Sequence, residues 1–358
     1  MHAASASREN VHGALIALAA GACAIGFAPL FVRLSPVDPT ATGFWRLALS
    51  LPFLIVLRLI LLSDRLRYPV SRVLPLFSLP SKPHLAPAVP LTRSDEQSAE
   101  NISPTPEAPA RGSARYAWLL LPGFFFAGDL AVWHWSIHFT TVANATLLTN
   151  FAPIFVTIIA YFYFGERFDG RFPVGLLLAM TGAILLISRS VQISPDHLFG
   201  DLLGVATALF YAAYQLSVKR LRRDFSTLTL MFGASFTGAV LLLALAIMNG
   251  ETILPAVASG KVPTIASGGE FSLFALAITW SPLVGLALVS HIAGQGLIAY
   301  AFAHLSASFS SVSLLIQPIV AAIGAYFLFG EALGPVELLG AGVVLSGVIL
   351  ARLATRSS

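Results

Sequence analysis

Long apolar blocks dominate this sequence and restrict what it can fold into. A helix needs roughly 20 mostly apolar residues to cross the hydrocarbon core of a bilayer, and every backbone polar group there must bond within the protein. The sequence therefore predicts an all-α integral membrane protein with ten transmembrane helices. The ten blocks are residues 13–33, 41–62, 117–139, 142–164, 172–189, 200–218, 229–249, 282–304, 308–329 and 335–353.

The composition supports a membrane protein over a soluble one. Hydrophobic residues make up 56% of the chain and charged residues 11%, whereas soluble domains are about 25% charged. The first apolar block is too long for a signal-peptide core and lacks a convincing cleavage site, so it predicts a first spanning helix. Cys23 lies in that block and is the chain's only cysteine, which rules out an intrachain disulfide and a cysteine-based metal site.

The distribution of Lys and Arg predicts the orientation of the chain. With the N-terminus inside, 17 of the 21 basic residues fall on the cytoplasmic side, three fall outside and Arg46 falls within a helix. The short clusters at 219–223 and 352–356 keep this bias when the long inside loop is ignored. We therefore expect a cytoplasmic N-terminus over 1–12, a cytoplasmic tail over 354–358 and a location in the plasma membrane, the inner membrane of a bacterium.

Two loops are longer than a connection between helices requires. The inside loop 64–114 has nine prolines between Pro69 and Pro109 and almost nothing to bury, which predicts a disordered, Pro-rich cytoplasmic linker. The loop 250–281 is expected outside. Its apolar residues 271–279 predict a short interfacial helix that ends before Trp280.

The sequence contains an internal repeat. "APIFVTIIAYFYFGE" (152–166) recurs as "QPIVAAIGAYFLFGE" (317–331), and thirteen of the 33 positions 153–185 are identical at an offset of 165. The first helices of the two halves match at an offset of 187, as in Arg33 and Arg220. This pattern predicts two five-helix units, 13–189 and 200–353. Because five is odd, the second unit enters the membrane inverted, an architecture shared by many secondary transporters.

This pattern resembles the drug/metabolite transporter superfamily and, within it, the EamA-type permeases. The resemblance is carried by "TTVANATLLTNFAPIFV" (140–156), by the two Tyr-Phe-x-Phe-Gly-Glu helix ends, and by "GFWR" (43–46). It implies ten helices in two EamA-like repeats and the export or exchange of small metabolites. It does not name a substrate, because the family spans amino acids, nucleotide sugars, cations and drugs.

Polar side chains from several helices fall at one depth, near the middle of the membrane. Unsatisfied polar groups in lipid cost several kcal/mol each, so their concentration in one layer indicates a wet central pocket where a substrate binds. Gln215 lies in this layer. The predicted substrate-binding residues are Asp129, Trp133, Asn150, Tyr211, Tyr214, His291, Gln295 and Gln317.

Asp129 is the sharpest candidate in this layer. Its helix face also carries Trp133 and Ser136. An apolar setting favours the neutral form of a carboxyl, so Asp129 could take up and release a proton during transport. The alternative is a neutral or paired aspartate that only holds helices together. Arg46 is a candidate gate or charge partner, for Asp129 or for a substrate carboxylate, unless its side chain reaches outward to the headgroups.

Other ionisable groups have two interpretations each. His291 and Gln295 share a helix face and could bind substrate, relay protons or form only an interhelical hydrogen bond. His134 and His138 are four residues apart, as in some metal sites, but they point away from Asp129. Glu166 and Glu331 end their helices on opposite faces, where anchoring a turn is the favoured interpretation.

The sequence therefore predicts a secondary active transporter of small metabolites, such as amino-acid-like or other amphipathic solutes. Export or exchange would proceed by alternating access between the inverted repeats. We expect a small-molecule substrate and the lipid bilayer as its partners, with proton coupling through Asp129, and we expect no cofactor, no metal, no nucleic acid and no catalysis. The alternatives are an intramembrane metal-dependent enzyme using His134 and His138, and a structural membrane protein. The oligomeric state stays open.

Overall fold

A computed structural model of the chain describes residues 2–67, 116–188, 194–255 and 273–356, and its regular elements are all helical within these ranges. The α-helices are α1 (His2–Gly26), α2 (Ala28–Arg33), α3 (Pro39–Ala48), α4 (Ser50–Arg67), α5 (Leu120–Phe139), α6 (Val142–Thr149), α7 (Ala152–Tyr163), α8 (Arg171–Ile187), α9 (Leu198–Leu221), α10 (Thr227–Met248), α11 (Leu273–Gly285), α12 (Gly296–His304), α13 (Ala307–Ser313), α14 (Gln317–Phe329) and α15 (Pro335–Arg356).

The prediction of an all-α membrane protein is confirmed. In the described part of the chain, eight helical stretches are long and apolar enough to cross a bilayer. The apolar helix α8 has 17 residues, and α5, whose polar residues include Asp129, is not among the eight. The count of ten spanning helices therefore stays a prediction. The eight stretches are Val11–Arg33, Pro39–Leu61, Ala143–Tyr163, Pro195–Leu221, Thr227–Met248, Leu276–His304, Ala307–Phe329 and Pro335–Thr355.

Two spanning segments are broken at matching places. α6 ends at Thr149, just before Pro153 near the start of α7. In the second half, α13 gives way to a 3-10 turn over Leu314–Ile316, just before Pro318 near the start of α14. A proline has no N–H to donate to the preceding turn of a helix, and its ring clashes with a carbonyl of that turn. Each break is therefore caused by its proline.

The eighth span differs from the sequence prediction. We expected a separate interfacial helix over 271–279, but residues 273–279 form the first turns of α11 and continue without a break into the rest of the apolar stretch Leu276–His304. Residues 271 and 272 lie outside the described ranges. The expectation is wrong because Pro282 sits inside α11 instead of ending a helix. A π-helical stretch over Leu286–Gln295 follows, and such local adjustments let a membrane helix carry a proline.

Helices α8 and α15 pack through glycines that the repeat relates to one another. Gly175 lies against Gly347, and Gly182 lies against Gly340. A Cβ atom on Gly347 would lie 2.3 Å from the backbone nitrogen of Ala179. Gly175 corresponds to Gly340 and Gly182 to Gly347 at the offset of 165, so the two contacts are images of each other. The helices therefore run antiparallel around a local pseudo-two-fold axis, as inverted repeats require.

The ends of α7 and α14 are also alike. Each is followed by a glycine in the left-handed region, Gly165 with φ of 67° and Gly330 with φ of 68°. A side chain at either position would strain the backbone, so glycine is favoured here. Both turns place a glutamate, Glu166 or Glu331, at the end of its helix.

Two predicted boundaries lie elsewhere in the structure. α1 begins at His2, so the helix includes most of the segment 1–12 that was expected to precede it. α4 extends to Arg67, a few residues into the predicted linker 64–114. The rest of that linker lies outside the described residues.

Candidate functional site

Two buried side chains of opposite charge lie at the centre of the fold. Asp129 is the tenth of the 20 residues of α5 and is 8% exposed, and Arg46 on α3 is 7% exposed. They are near enough to act on each other electrostatically. Among the contacts of the described residues, however, no hydrogen bond or ion pair joins them. The site therefore holds one basic and one acidic side chain that no described hydrogen bond or ion pair joins.

Phe126 provides the apolar surface between these charges and the second half of the chain. The guanidinium carbon of Arg46 lies 5.1 Å from the centre of the Phe126 ring, within the range of a cation–π interaction. The other neighbours of this ring are Tyr214, at 4.9 Å between centres, and His291, at 5.8 Å. Phe126 therefore joins α3 and α5 of the first half to α9 and the π-helix of the second.

Two tyrosines and two glutamines form the facing wall. The Tyr214 hydroxyl donates to Oε1 of Gln295 at 3.2 Å. The Tyr211 ring stacks on Tyr214 with centres 6.2 Å apart and an angle of 15°. Tyr211 also lies beside Gln317, at the start of α14. This wall presents hydroxyl and amide groups next to flat apolar rings, a combination suited to an amphipathic ligand.

His291 is fixed on one side only. Its Nε2 atom is 2.8 Å from the hydroxyl of Ser235, and Ser50 donates to Ser235 at 3.1 Å. The Nδ1 atom of His291 is buried and has no hydrogen-bond partner in the described structure. The serines therefore hold the ring in place while one ring nitrogen stays available to a ligand or water.

Several buried polar atoms of this layer lack partners in the described structure. Buried polar groups are normally paired, so such a concentration indicates a place that water or a ligand fills. Most of these atoms are N–H donors, which favours a ligand with an acceptor such as a carboxylate. The atoms are Nε of Arg46, Nδ2 of Asn150, both amide atoms of Gln215, Nδ1 of His291 and Nε2 of Gln317.

Most of the predicted site residues lie in one cluster, which also includes the predicted charge partner. The cluster contains Arg46, Asp129, Tyr211, Tyr214, His291, Gln295 and Gln317. Trp133 is half-buried, and its ring contacts His134. Asn150 caps the end of α6, and none of its described contacts is with a residue of the cluster. What these side chains do in the protein stays a prediction.

Sequence reasoning missed Phe126 and left Gln215 outside the predicted binding set. Phe126 precedes Asp129 by three residues and so shares its helix face, a signal that could have found it. Gln215 follows Tyr211 by four residues on α9 and is 1% exposed.

The two histidines of α5 differ in their surroundings. His134 is buried, whereas His138 is exposed near the end of the helix. In the part of the chain that the structure describes, no group of three or more His, Cys, Asp or Glu side chains is placed to hold a metal ion.

The sequence also matches a known family over more than half of its length. Residues 101–188 and 198–353 match the family described as "EamA-like transporter family". The chain belongs to the EamA-like transporter family. It is therefore an integral, multi-pass membrane protein of a transporter family, and the resemblance noted from the sequence is confirmed.

Several curated relatives carry transporter names. An uncharacterized transporter of Archaeoglobus fulgidus is 27% identical over 60% of this chain and 69% of its own length. A probable terminal-alkyne amino-acid exporter of Streptantibioticus cattleyicolor is 27% identical over 61% of this chain and 66% of its own length. The pseudopaline exporter CntI of Pseudomonas aeruginosa is 23% identical over 54% and 60%. The chain thus spans about two thirds of the length of these relatives.

The fold has a counterpart among solved structures. A crystal structure matches with a TM-score of 0.62 and 14% sequence identity, over 97% of this chain and 99% of the other. At this identity the match shows a shared fold alone.

Proposed function

We propose that this protein is a secondary active exporter of small amphipathic metabolites that carry both an amino group and a carboxylate. The observation that carries the proposal is a pair of buried side chains, the basic Arg46 and the acidic Asp129, that no described hydrogen bond or ion pair joins. A buried charge is costly unless a partner neutralises it. A zwitterionic solute would supply a partner for both.

The cluster suggests how such a solute would bind. The guanidinium of Arg46 suits a carboxylate, to which it can donate two parallel hydrogen bonds. The carboxylate of Asp129 suits an ammonium group. The rings of Phe126, Tyr211 and Tyr214 would pack against the apolar part, and the unpartnered donors of Gln215 would complete the contacts.

The name of one relative agrees with this substrate class. One curated relative is named a probable amino-acid exporter and another a pseudopaline exporter. Both names state export, which favours the outward direction for this chain. The local two-fold packing of α8 and α15 supports alternating access between two inverted halves.

Asp129 would couple export to protons. When the site faces outward, a proton binds the carboxylate and removes the partner of the substrate ammonium, so the substrate leaves. The proton is released to the cytoplasm when the site faces inward, and the restored carboxylate binds a new substrate. With both termini in the cytoplasm, as the loop charges predict, the proton gradient across the plasma membrane would drive export.

Efflux from proteoliposomes tests the proposal. Vesicles with purified protein are loaded with single radiolabelled amino acids, and efflux is measured with and without an imposed pH gradient. We expect saturable efflux that the gradient stimulates. Asp129→Asn should lose the stimulation, because an amide cannot carry the proton, and should bind the amino acid more weakly, because it lacks the carboxylate that faces the ammonium.

His138→Gln is the matched control, since it changes a titratable group of the same helix that is exposed and outside the cluster. It should leave gradient-driven efflux unchanged. Absence of efflux for every amino acid would contradict the substrate class, and an undiminished response to the gradient in Asp129→Asn would contradict proton carriage by this residue.

A further inference from the structure

The two glutamates that end α7 and α14 have different partners, although the repeat makes them equivalent. Glu166 follows Gly165 and Glu331 follows Gly330, at the offset of 165. In a structure with exact internal symmetry, both carboxylates would make the same contacts. They do not: Glu166 contacts the start of a helix, and Glu331 contacts an arginine.

Glu166 holds the start of a helix from the other half. Its Oε1 atom accepts from the backbone nitrogen of Ala307 at 2.6 Å. Its Oε2 atom accepts from the backbone nitrogen of Ser308 at 3.2 Å and from the Ser308 hydroxyl at 2.7 Å. A carboxylate at the positive end of a helix is stabilised by charge-assisted hydrogen bonds, so Glu166 clamps α7 to α13.

The opposite face carries an equivalent helix start that could accept a carboxylate. Ser306 caps the start of α13, and its hydroxyl accepts from the backbone nitrogen of Phe309 at 3.4 Å. Thr141 caps the start of α6, and its hydroxyl accepts from the backbone nitrogen of Asn144 at 3.1 Å. These capping residues are 165 apart. By the repeat, Glu331 is the residue that would hold the start of α6. None of its described contacts, however, is with residues 141–144.

Glu331 instead pairs with Arg33, at the end of α2. Both side chains are more than half exposed. The counterpart of Arg33 is Arg220, which pairs with Asp224 at 3.4 Å and not with Glu166. At one face Glu166 therefore holds the start of a helix from the other half, whereas at the other face Glu331 pairs with an arginine.

We propose that Glu166 and Glu331 are alternating clamps of the transport cycle. In this structure Glu166 closes the face that the loop charges place in the cytoplasm, and Arg33 keeps Glu331 away from α6. In the opposite state, Glu331 leaves Arg33 and accepts from the backbone nitrogens of residues 142 and 143, while Glu166 releases α13 and pairs with Arg220. This inference rests on the proposed alternating access, but it concerns groups outside the substrate cluster.

Distances between spin labels test the clamps without any substrate. With Cys23 replaced by serine, one labelled pair at positions 171 and 304 reports on the Glu166 face. The pair at 336 and 139 reports on the Glu331 face. All four positions are exposed, and the pairs are related by the offset of 165.

The variants should shift the populations in opposite directions. Glu166→Gln should lengthen the 171–304 distance and shorten the 336–139 distance in part of the molecules. The ratio of the two conformations should change by about tenfold, the size expected for losing a charge-assisted hydrogen bond. Arg33→Ala should shift the ratio the same way because it frees Glu331. Glu331→Gln should shift it the other way.

Asp196→Asn is the matched control, because it removes an exposed carboxylate outside both clamps and should leave both distances unchanged. Arg33→Ala alters an exposed side chain, so it serves even if Glu166→Gln fails to fold. Unchanged distances in folded Glu166→Gln or Arg33→Ala, or a shift in the same direction for Glu331→Gln, would overturn the proposal. Failure of amino-acid efflux would refute the substrate class and leave these distance shifts intact.

Discussion

Two buried arginines differ in whether the protein itself supplies their hydrogen-bond partners. Arg222 is 2% exposed and lies just beyond the end of α9. Its Nε atom donates to the carbonyl oxygen of Ala299 at 3.1 Å, and a terminal nitrogen donates to that of Phe225. Burial lowers the pKa of Arg222 to about 10, which still leaves it protonated at neutral pH. The Nε atom of Arg46, in contrast, has no such partner.

Replacing Arg222 should therefore affect stability. Arg222→Met removes two hydrogen bonds that a buried, charged donor makes, which should lower the free energy of unfolding by about 2 kcal/mol. Thermal unfolding in detergent measures the effect. Arg223→Met is the control, because Arg223 is exposed and its loss should change stability by less than about 0.5 kcal/mol. Equal effects of the two variants would refute the structural role of Arg222.

At the scale of helices, the contact of α8 with α15 depends on the absence of side chains. A Cβ atom on Gly182 would lie 2.4 Å from the backbone nitrogen of Val344, and one on Gly347 would lie 2.3 Å from that of Ala179. Backbone atoms cannot move aside as the end of a flexible side chain can. The close approach of the two halves is therefore fixed by these glycines.

Gly347→Ala should push the two helices apart. Overpacking of this kind costs about 1–3 kcal/mol, which should lower the melting temperature in detergent by several degrees. Gly342→Ala tests the same helix at a position where a Cβ atom meets nothing within 4 Å. It should be neutral or slightly stabilising because alanine favours a helix. A Gly347→Ala variant as stable as the wild type would contradict the close contact.

The sequence predicted much of this fold because its signals are local or periodic. It predicted the helices from apolar blocks and the repeat from identities at a fixed offset, but it did not predict the breaks before Pro153 and Pro318 or the glycine contacts. The π-helix at Leu286–Gln295 could not be predicted, since it depends on packing between distant segments. Ser290, for instance, donates to the carbonyl oxygen of Ala24 at 3.2 Å.

The candidate site was predictable to a similar extent. Asp129 and Arg46 stand out because charges are rare in apolar blocks. Phe126 does not, since it is one of 26 phenylalanines and only tertiary contacts show which ring lies beside the charges. Trp133 shares a face with Asp129, but its described ring contact is with His134. Helical periodicity predicts the face on which a side chain lies, but it does not predict which residue that side chain contacts.

At the scale of the whole molecule, the loop charges predict which face meets the cytoplasm. Arg223 follows α9 on the predicted inner side, and Asp196 precedes it on the predicted outer side. Both are exposed. Single cysteines at these positions, with Cys23 replaced by serine, should react differently with a membrane-impermeant maleimide added to intact cells.

We expect position 196 to be labelled in intact cells and position 223 only after the membrane is permeabilised. The reverse result would invert the orientation and, with it, the predicted direction of transport and the face that Glu166 closes. Labelling of both positions in intact cells would mean that the two ends of α9 do not lie on opposite sides of the membrane.

The central claim is that Arg46 and Asp129 bind the two charged ends of one solute. Equilibrium binding to purified protein tests it most directly, with the amino acid that leaves proteoliposomes fastest, its amide without the carboxylate, and its deaminated acid without the ammonium. Arg46→Met should weaken binding of the amino acid at least about tenfold and leave the amide nearly unaffected, since bonds between charged groups contribute about 1.5–3 kcal/mol. Asp129→Asn should spare the deaminated acid in the same way. Equal losses for all three ligands in both variants would contradict the claim.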